Sequence, residues 1–227
     1  MVLPCFNPPI GWEKVVVSSI KNLEEKGGVS IDLILVNDGS TQHVMDEHIT
    51  LIKDQHAAFK YIQYTENRGK GYALRQGVAA ANNDLIIYTD IDFPYTADSF
   101  LTVFEKLKKG NDVVPGHRGK AYYENTPLMR KLISKFLRWT LKTFLRLPTD
   151  DSQCGIKGFN QVGAKVFLDT QIDRFLFDLE FIKLSAKRKV KMEKAPVELK
   201  PNVVFSSVSL KILARESLNF VRILFRK

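Results

Sequence analysis

Asp90 and Asp92 stand two residues apart at the end of an apolar run, Leu85-Ile86-Ile87-Tyr88. An apolar run bounded by polar residues reads as a buried strand of a parallel sheet. The carboxyl ends of such strands are where α/β folds bind ligands. Alternate residues of extended chain can point toward one ligand. Two hard oxygen donors so placed suit Mg²⁺ or Mn²⁺, held jointly with the phosphates of a substrate. The same pair also serves as the cap of the next helix and the start of a turn, and the motif alone does not choose.

The elements that must position these carboxylates can be read from the chain. Met1–Phe6 reads as a strand, and Glu13–Lys26 as a helix with Val16, Ile20 and Leu23 at helical spacing. Ile31–Val36 reads as a buried strand, Val44–Gln55 as a helix, Tyr61–Tyr64 as a strand and Gly71 to Ala81 as a helix. The carboxylate-bearing strand, Leu85–Thr89, precedes a helix at Ala97–Lys109 and a strand at Asp112–Pro115. This alternation predicts an α/β fold with a parallel sheet and helices on both faces. Beyond it, Gly155 to Lys189 reads as helical and Lys194–Leu199 as a strand. The chain reads as a single domain, residues 1–227, whose function divides near Gly116.

Polar or glycine-bearing loops follow the other strands. In Asn37-Asp38-Gly39-Ser40-Thr41, Asp38 can accept hydrogen bonds from a nucleobase or ribose, although the run is equally good turn chemistry. Arg68 and Lys70 lie between glycines at a helix start, a favourable place for an anion, or for a solvated basic turn. The spacing is not that of a Walker loop, and no Gly-x-Gly-x-x-Gly follows the first strand. His43, His48, His56 and His117 lack zinc-ligand spacing, and no Gly-x-Ser-x-Gly elbow occurs.

Composition narrows the partners. The 227 residues carry a net charge of +9, which points to anionic ligands or surfaces. Lys131, Lys135, Arg138, Lys142 and Arg146 form one stripe of a predicted amphipathic helix within Thr126–Leu147, opposite an apolar face. Leu210–Lys227 repeats the theme. Such helices suit an anionic lipid surface, and equally two core-packed helices with solvated basic faces. Nucleic acid is disfavoured as a partner, because the basic residues are not set amid stacking aromatics. No apolar stretch approaches bilayer length and no signal peptide precedes the first strand, so a cytoplasmic, membrane-peripheral protein is expected. Its start is expected to lie upstream of Met1. Cys5 and Cys154 are too few for a disulfide framework and are expected to be reduced.

Leu3-Pro4-Cys5-Phe6-Asn7, Val36-Asn37-Asp38-Gly39-Ser40, Asn67-Arg68-Gly69-Lys70-Gly71 and Thr89-Asp90-Ile91-Asp92 follow in the order found in family 2 glycosyltransferases. Asp151-Ser152-Gln153-Cys154-Gly155-Ile156-Lys157-Gly158-Phe159 and Phe177-Asp178-Leu179-Glu180 resemble the dolichyl-phosphate glucosyltransferase and mannosyltransferase branch. The resemblance implies a GT-A, Rossmann-like fold and an inverting, metal-dependent hexosyltransferase. Its donor would be a nucleotide sugar of the UDP-glucose or GDP-mannose type, and its acceptor a polyprenyl or dolichyl phosphate. It assigns Pro4, Phe6, Asp38, Arg68 and Lys70 to the nucleobase and ribose, and Asp90 to the ribose and metal. Asp92 would ligate Mg²⁺ or Mn²⁺ on the diphosphate. Arg118 and Arg130 would meet phosphates, Arg118 just after the fifth strand. Asp151 would be the acceptor-side carboxylate, with Gln153 beside it.

A lipid phosphate is already ionised near neutral pH, its second pKa being about 6, so Asp151 need only orient it. A hydroxyl acceptor on a glycan or lipid, the alternative, would need Asp151 as a base. A non-catalytic nucleotide-sugar-binding protein is the remaining alternative. The sequence departs from the family at Asn37, where an acid is usual, at Pro8, and at Phe93-Pro94-Tyr95. It lacks the Arg-x-x-Gly-x-Ser pattern near Asn202–Ser209 and the C-terminal membrane spans of some relatives. The Gln-x-x-Arg-Trp box of processive synthases is also missing, which points to transfer of a single sugar.

Overall fold

The computed structural model describes residues 1–119 and 151–201. The two basic amphipathic segments and Arg130 lie outside these described residues. Strands β1 (Val2–Cys5), β2 (Leu33–Asp38), β3 (Phe59–Tyr64), β4 (Leu85–Tyr88), β5 (Val113–Arg118), β6 (Lys157–Asn160) and β7 (Ala195–Val197) form one sheet in the order β3-β2-β1-β4-β6-β5-β7. Helices α1 (Trp12–Gly27), α2 (Asp46–Gln55), α3 (Lys70–Ala79), α4 (Ala97–Lys108), α5 (Gln161–Leu168) and α6 (Phe177–Lys187) flank it. The β3-β2, β2-β1, β1-β4 and β5-β7 pairs are parallel, and among the described strands only β6 runs against its neighbours, β4 and β5. The predicted α/β fold, a mostly parallel sheet between helices, is therefore the observed one.

The period of the strands explains the layers. Ile34 and Val36 face one core with α3, α5 and α6, while Leu33 and Leu35 face the other with α1, α2 and α4. Val16, Ile20 and Leu23 form the buried stripe of α1, as their spacing predicts. Strand β2 is buried throughout, which is why it reads as one apolar run. The sheet crosses the division expected near Gly116, since β6 and β7 complete it.

The structure corrects the sequence reading at several points. Gly155 to Lys189 is not one helical stretch: it opens with β6 and continues as α5 and α6. Strand β6, Lys-Gly-Phe-Asn, carries no apolar run, and its pairing with β4 and β5 overrides local propensity. Strand β5 runs on to Arg118, which ends the strand instead of following it. Asp92 is not in extended chain. A turn closes at Asp90, whose carbonyl accepts from the Phe93 N–H at 3.0 Å, and Phe93 takes a φ of 45°. Among the described residues, no helix is long and apolar enough to cross a membrane.

Tyr88, Phe159, Phe167, Phe177 and Phe181 pack as an aromatic cluster beneath the β4 end, with Phe159 and Phe167 stacked at 5.3 Å between centroids. Phe167 touches each of the other rings and is fully buried. Phe167→Ala should cost about 3–5 kcal/mol, because the surrounding rings cannot collapse into the space. A urea titration should show the lower midpoint, and Phe167→Leu should lose less.

Candidate active site

Strands β1 to β5 all point their carboxyl ends to one rim, because β5 is antiparallel to β6 and β6 to β4. The reversed β6 begins where those strands end. Its leading loop, Asp151 to Gly155, therefore closes on the same rim.

Asp38 ends β2 and is 2% exposed. Its Oδ1 accepts from the Arg68 N–H at 2.8 Å; its Oδ2 accepts from the Gly69 N–H at 2.8 Å and from Asn67 Nδ2 at 3.0 Å. The carboxylate thus straps the Asn67–Lys70 loop to the sheet, as turn chemistry allows. Gly39 is required beside it: its φ is +68°, and a Cβ would lie 2.6 Å from the Glu66 carbonyl carbon. Arg68 lays its guanidinium 3.9 Å from the centroid of Tyr72 and is exposed at the rim. Pro4 lies on β1 opposite Val36, and Phe6 follows with half of its surface exposed. Asn37, the departure from the usual acid, is bound internally to Tyr61 Oη and the Ser40 N–H.

Lys70 opens α3 and donates to Asp90 Oδ1 at 2.5 Å. Burial opposes the Lys70 charge, but Asp90, with Asp178 and Asp92 near it, outweighs burial and raises its pKa. Asp92 is raised by crowding from the protein and by the charge of Asp90, despite Lys70 and Lys200. Asp38, Asp90 and Asp92 are therefore brought to one place, through Gly69 and Lys70. Gly155 packs against Asp90 so closely that a Cβ there would lie 2.5 Å from Asp90 Oδ2.

Asp151 and Arg118 form the second charged unit. The Arg118 N–H and Nε both donate to Asp151 Oδ2 at 2.9 Å, and Nη2 donates to Oδ1 at 2.5 Å. Burial acts to raise the Asp151 pKa, but the Arg118 bonds and charge prevail and hold it below the ordinary carboxylate value. Beside it, Ser152 Oγ and Gln153 Nε2 are buried without hydrogen-bond partners among the described residues. Such orphaned polar atoms suit a ligand or ordered water.

Several site-forming residues have no role in the sequence reading. Tyr95 Oη accepts from the Gly155 N–H at 2.9 Å, holding the loop that faces Asp90. Lys200 is brought near Asp92 because its own N–H donates to the Pro94 carbonyl at 2.8 Å. Lys157 and Asp178 are buried partners at 2.5 Å. Asp178 lies in a motif that the resemblance picks out, but nothing in the sequence pairs it with Lys157.

Among the described residues, no cluster of histidine, cysteine or carboxylate side chains makes a closed metal cage. The donor set does fit a cation held partly by substrate. Asp90 and Asp92 supply hard oxygens whose repulsion a divalent ion relieves, and phosphates can fill the other positions.

Residues 1–169 match glycosyl transferase family 2. The chain belongs to that family. The dolichyl-phosphate beta-glucosyltransferase of Saccharomyces cerevisiae is 24% identical over 217 residues, covering 87% of this chain and 65% of that protein. The human dolichyl-phosphate beta-glucosyltransferase is 28% identical over 216 residues, covering 80% of this chain and 61% of its own length. The chain thus spans less than two thirds of either relative. Glucosyl-3-phosphoglycerate synthase from Mycobacterium tuberculosis, solved with Mn²⁺, UDP and phosphoglyceric acid, shares the fold at a TM-score of 0.63 and 17% identity, covering 98% of this chain and 75% of that one. The Pyrobaculum calidifontis mannosyltransferase PcManGT, solved with GDP-Man and Mn²⁺, superposes at 0.55 and 15% identity, over 86% of this chain and 53% of its own. These neighbours establish the GT-A architecture.

Arg118→Met should destabilise the protein by about 3–5 kcal/mol at pH 7, because it leaves the Asp151 charge buried without its guanidinium. In the parent, a folded pKa below the ordinary 3.8 means that the Asp151 contribution is complete above that pH and fades as pH falls through the folded value. In the variant the pKa rises instead, and protonation relieves the penalty. Urea titrations should therefore show a larger loss at pH 7 than at pH 3.5. Equal losses would contradict the assignment.

Proposed function

We propose that this chain is an inverting transferase that moves one hexose from a nucleotide sugar to a polyprenyl or dolichyl phosphate at the cytoplasmic membrane face. One observation carries the choice of acceptor. The Asp151 carboxylate is buried, bound through both oxygens to Arg118 and depressed in basicity. A hydroxyl acceptor needs a general base with a pKa near the working pH. A carboxylate so engaged is a poor one. A phosphate acceptor needs none, being ionised before it arrives. The names of the relatives favour glucose as the sugar and dolichyl phosphate as the acceptor.

In this reading Asp90 and Asp92 would hold Mg²⁺ or Mn²⁺. When bound, such an ion withdraws charge from the leaving group. Lys70 and Arg68 add positive charge on the same side, and Pro4 and Phe6 line the nucleoside end. Asp38 acts by fixing the Arg68–Lys70 loop. Arg118, aimed by Asp151, meets the acceptor phosphate, with Gln153 and Ser152 offering the further polar atoms there and Arg130 a second guanidinium. One acceptor phosphate oxygen forms the bond to the anomeric carbon as the carbon–diphosphate bond breaks on the opposite face. The nucleoside diphosphate leaves with the electron pair, and the configuration inverts. The net charge of +9 and the basic helices predicted from sequence favour peripheral contact with anionic lipid.

The test is transfer of label from a radiolabelled nucleotide sugar with Mn²⁺, offering polyprenyl phosphate or polyprenol. Label should enter lipid, and nucleoside diphosphate should appear, only with the phosphate. Transfer to polyprenol alone would favour the hydroxyl-acceptor reading, and no transfer in either arm would favour a binding protein. Asp92→Asn should lower metal-supported turnover by roughly 100-fold or more. Because ionised Asp92 is disfavoured in the folded state, the same change should leave the melting temperature unchanged or slightly higher. A variant that remains active and indifferent to metal would remove the metal role.

A further inference from the structure

Beneath the rim lies a charged group that the transfer chemistry does not use. Lys157 is 0% exposed, and its Nζ donates to the Cys154 carbonyl at 2.7 Å and to Asp178 Oδ1 at 2.5 Å. The same Asp178 oxygen accepts from the Tyr88 hydroxyl, and the Lys157 ammonium lies 5.7 Å from the Tyr88 ring. Asp178 is 4% exposed in the first turn of α6. Replacing a buried ion pair with apolar side chains of similar volume is often neutral or stabilising. Stability is thus a weak reason for this one, and its connections supply a geometric reason.

Each bond of the group ends in a different wall of the site. The Cys154 carbonyl belongs to the loop that carries Asp151 and places Gly155 against Asp90. Tyr88 is the last residue of β4, two positions before Asp90, and stands opposite Lys157 in the β4–β6 register. Phe177, next to Asp178, receives α3: a Cβ on Gly71 would lie 2.7 Å from the Phe177 Cβ. Gly71 in turn adjoins Lys70. Strand β6 is four residues long, and a slip of one residue would put Gly158 in place of Lys157 and turn the ammonium to the other face.

We propose that Lys157 and Asp178, with the Tyr88 hydroxyl, form a positioning centre that locks Asp90 and Lys70 against the Asp151–Gly155 loop, and so keeps the diphosphate and acceptor subsites in register. The proposal rests on the reading of this rim as a transfer site. None of these side chains touches substrate. They act through the backbone of β4, the loop before β6 and the start of α6. Directional bonds to fixed partners do what apolar packing cannot: they select one register and one loop height.

The decisive variant is Lys157→Met combined with Asp178→Leu, which removes both charges and leaves neither unpaired. It should fold, with a moderately lower melting temperature, because the Tyr88 hydroxyl and the Cys154 carbonyl lose their partners. Its affinity for UDP or GDP with Mn²⁺, measured by calorimetry, should fall about tenfold, and its turnover on the order of 100-fold. A merely structural role would lower the melting temperature but leave the affinity of the folded protein intact. A folded double variant with parental affinity and turnover overturns the proposal. Should the double variant not fold, Tyr88→Phe serves: it keeps the ring and the ion pair and removes one hydroxyl. Turnover several-fold lower, in a protein that still folds with a slightly lower melting temperature, is expected, and parental kinetics overturn the proposal. Failure of the parent to use polyprenyl phosphate speaks only to the acceptor, since nucleotide affinity requires none. A crystal structure of the double variant decides without any ligand: Asp90 should move from Gly155, and an unmoved Asp90 overturns the proposal.

Discussion

Carboxylates crowded at one end of a sheet repel each other, and each must find positive charge or donors, or else resist ionisation. The rim of this protein meets that constraint differently at each position. Backbone amides and the Asn67 side chain satisfy Asp38. Lys70 answers Asp90, Arg118 answers Asp151 and Lys157 answers Asp178. Asp92 is the exception: among the described residues, no cation reaches it within salt-bridge distance, and its ionisation is disfavoured. The site is therefore electrostatically incomplete at one point, beside a neighbour that already bears a lysine. A divalent ion carried in with a diphosphate fits that imbalance, because it brings its own remaining ligands.

The reversed strand gives this charge pattern its shape. Were the sheet wholly parallel, the segment entering β6 would start at the opposite edge, far from Asp90. Running β6 against β4 brings its leading loop to the carboxyl ends of the other strands. The donor-side loops and the Asp151–Gly155 loop then face each other across a gap that Gly155 keeps narrow. Because β6 sits in the middle of the sheet, between β4 and β5, the loop it anchors is supported on both sides.

Much of this is legible in the sequence. The period of Val16, Ile20 and Leu23, the buried run Leu33-Ile34-Leu35-Val36, and the loops after β2, β3 and β4 predicted the first half closely, because its helices display their own period and its buried strands are apolar runs between polar loops. The motifs also placed Asp38, Arg68, Lys70, Asp90 and Asp92 on one rim, since parallel strands deliver their loops to the same side. Strand β6 was not legible. Four residues containing a glycine and a lysine carry no strand signal of their own, and pairing on both edges decides their state.

The sequence by itself determined the residue types and their order along the chain, hence the family, the parallel sheet and the acidic rim. It did so because local periodicity and loop chemistry act over short separations. Only the tertiary structure decided what each carboxylate does. Asp38 became a strap, Asp151 an anchored partner of Arg118, and Asp178 the mate of a buried lysine, through contacts that span 21 to 33 positions of the chain. Such pairings depend on which strand lies beside which, and that is settled by packing of the whole sheet.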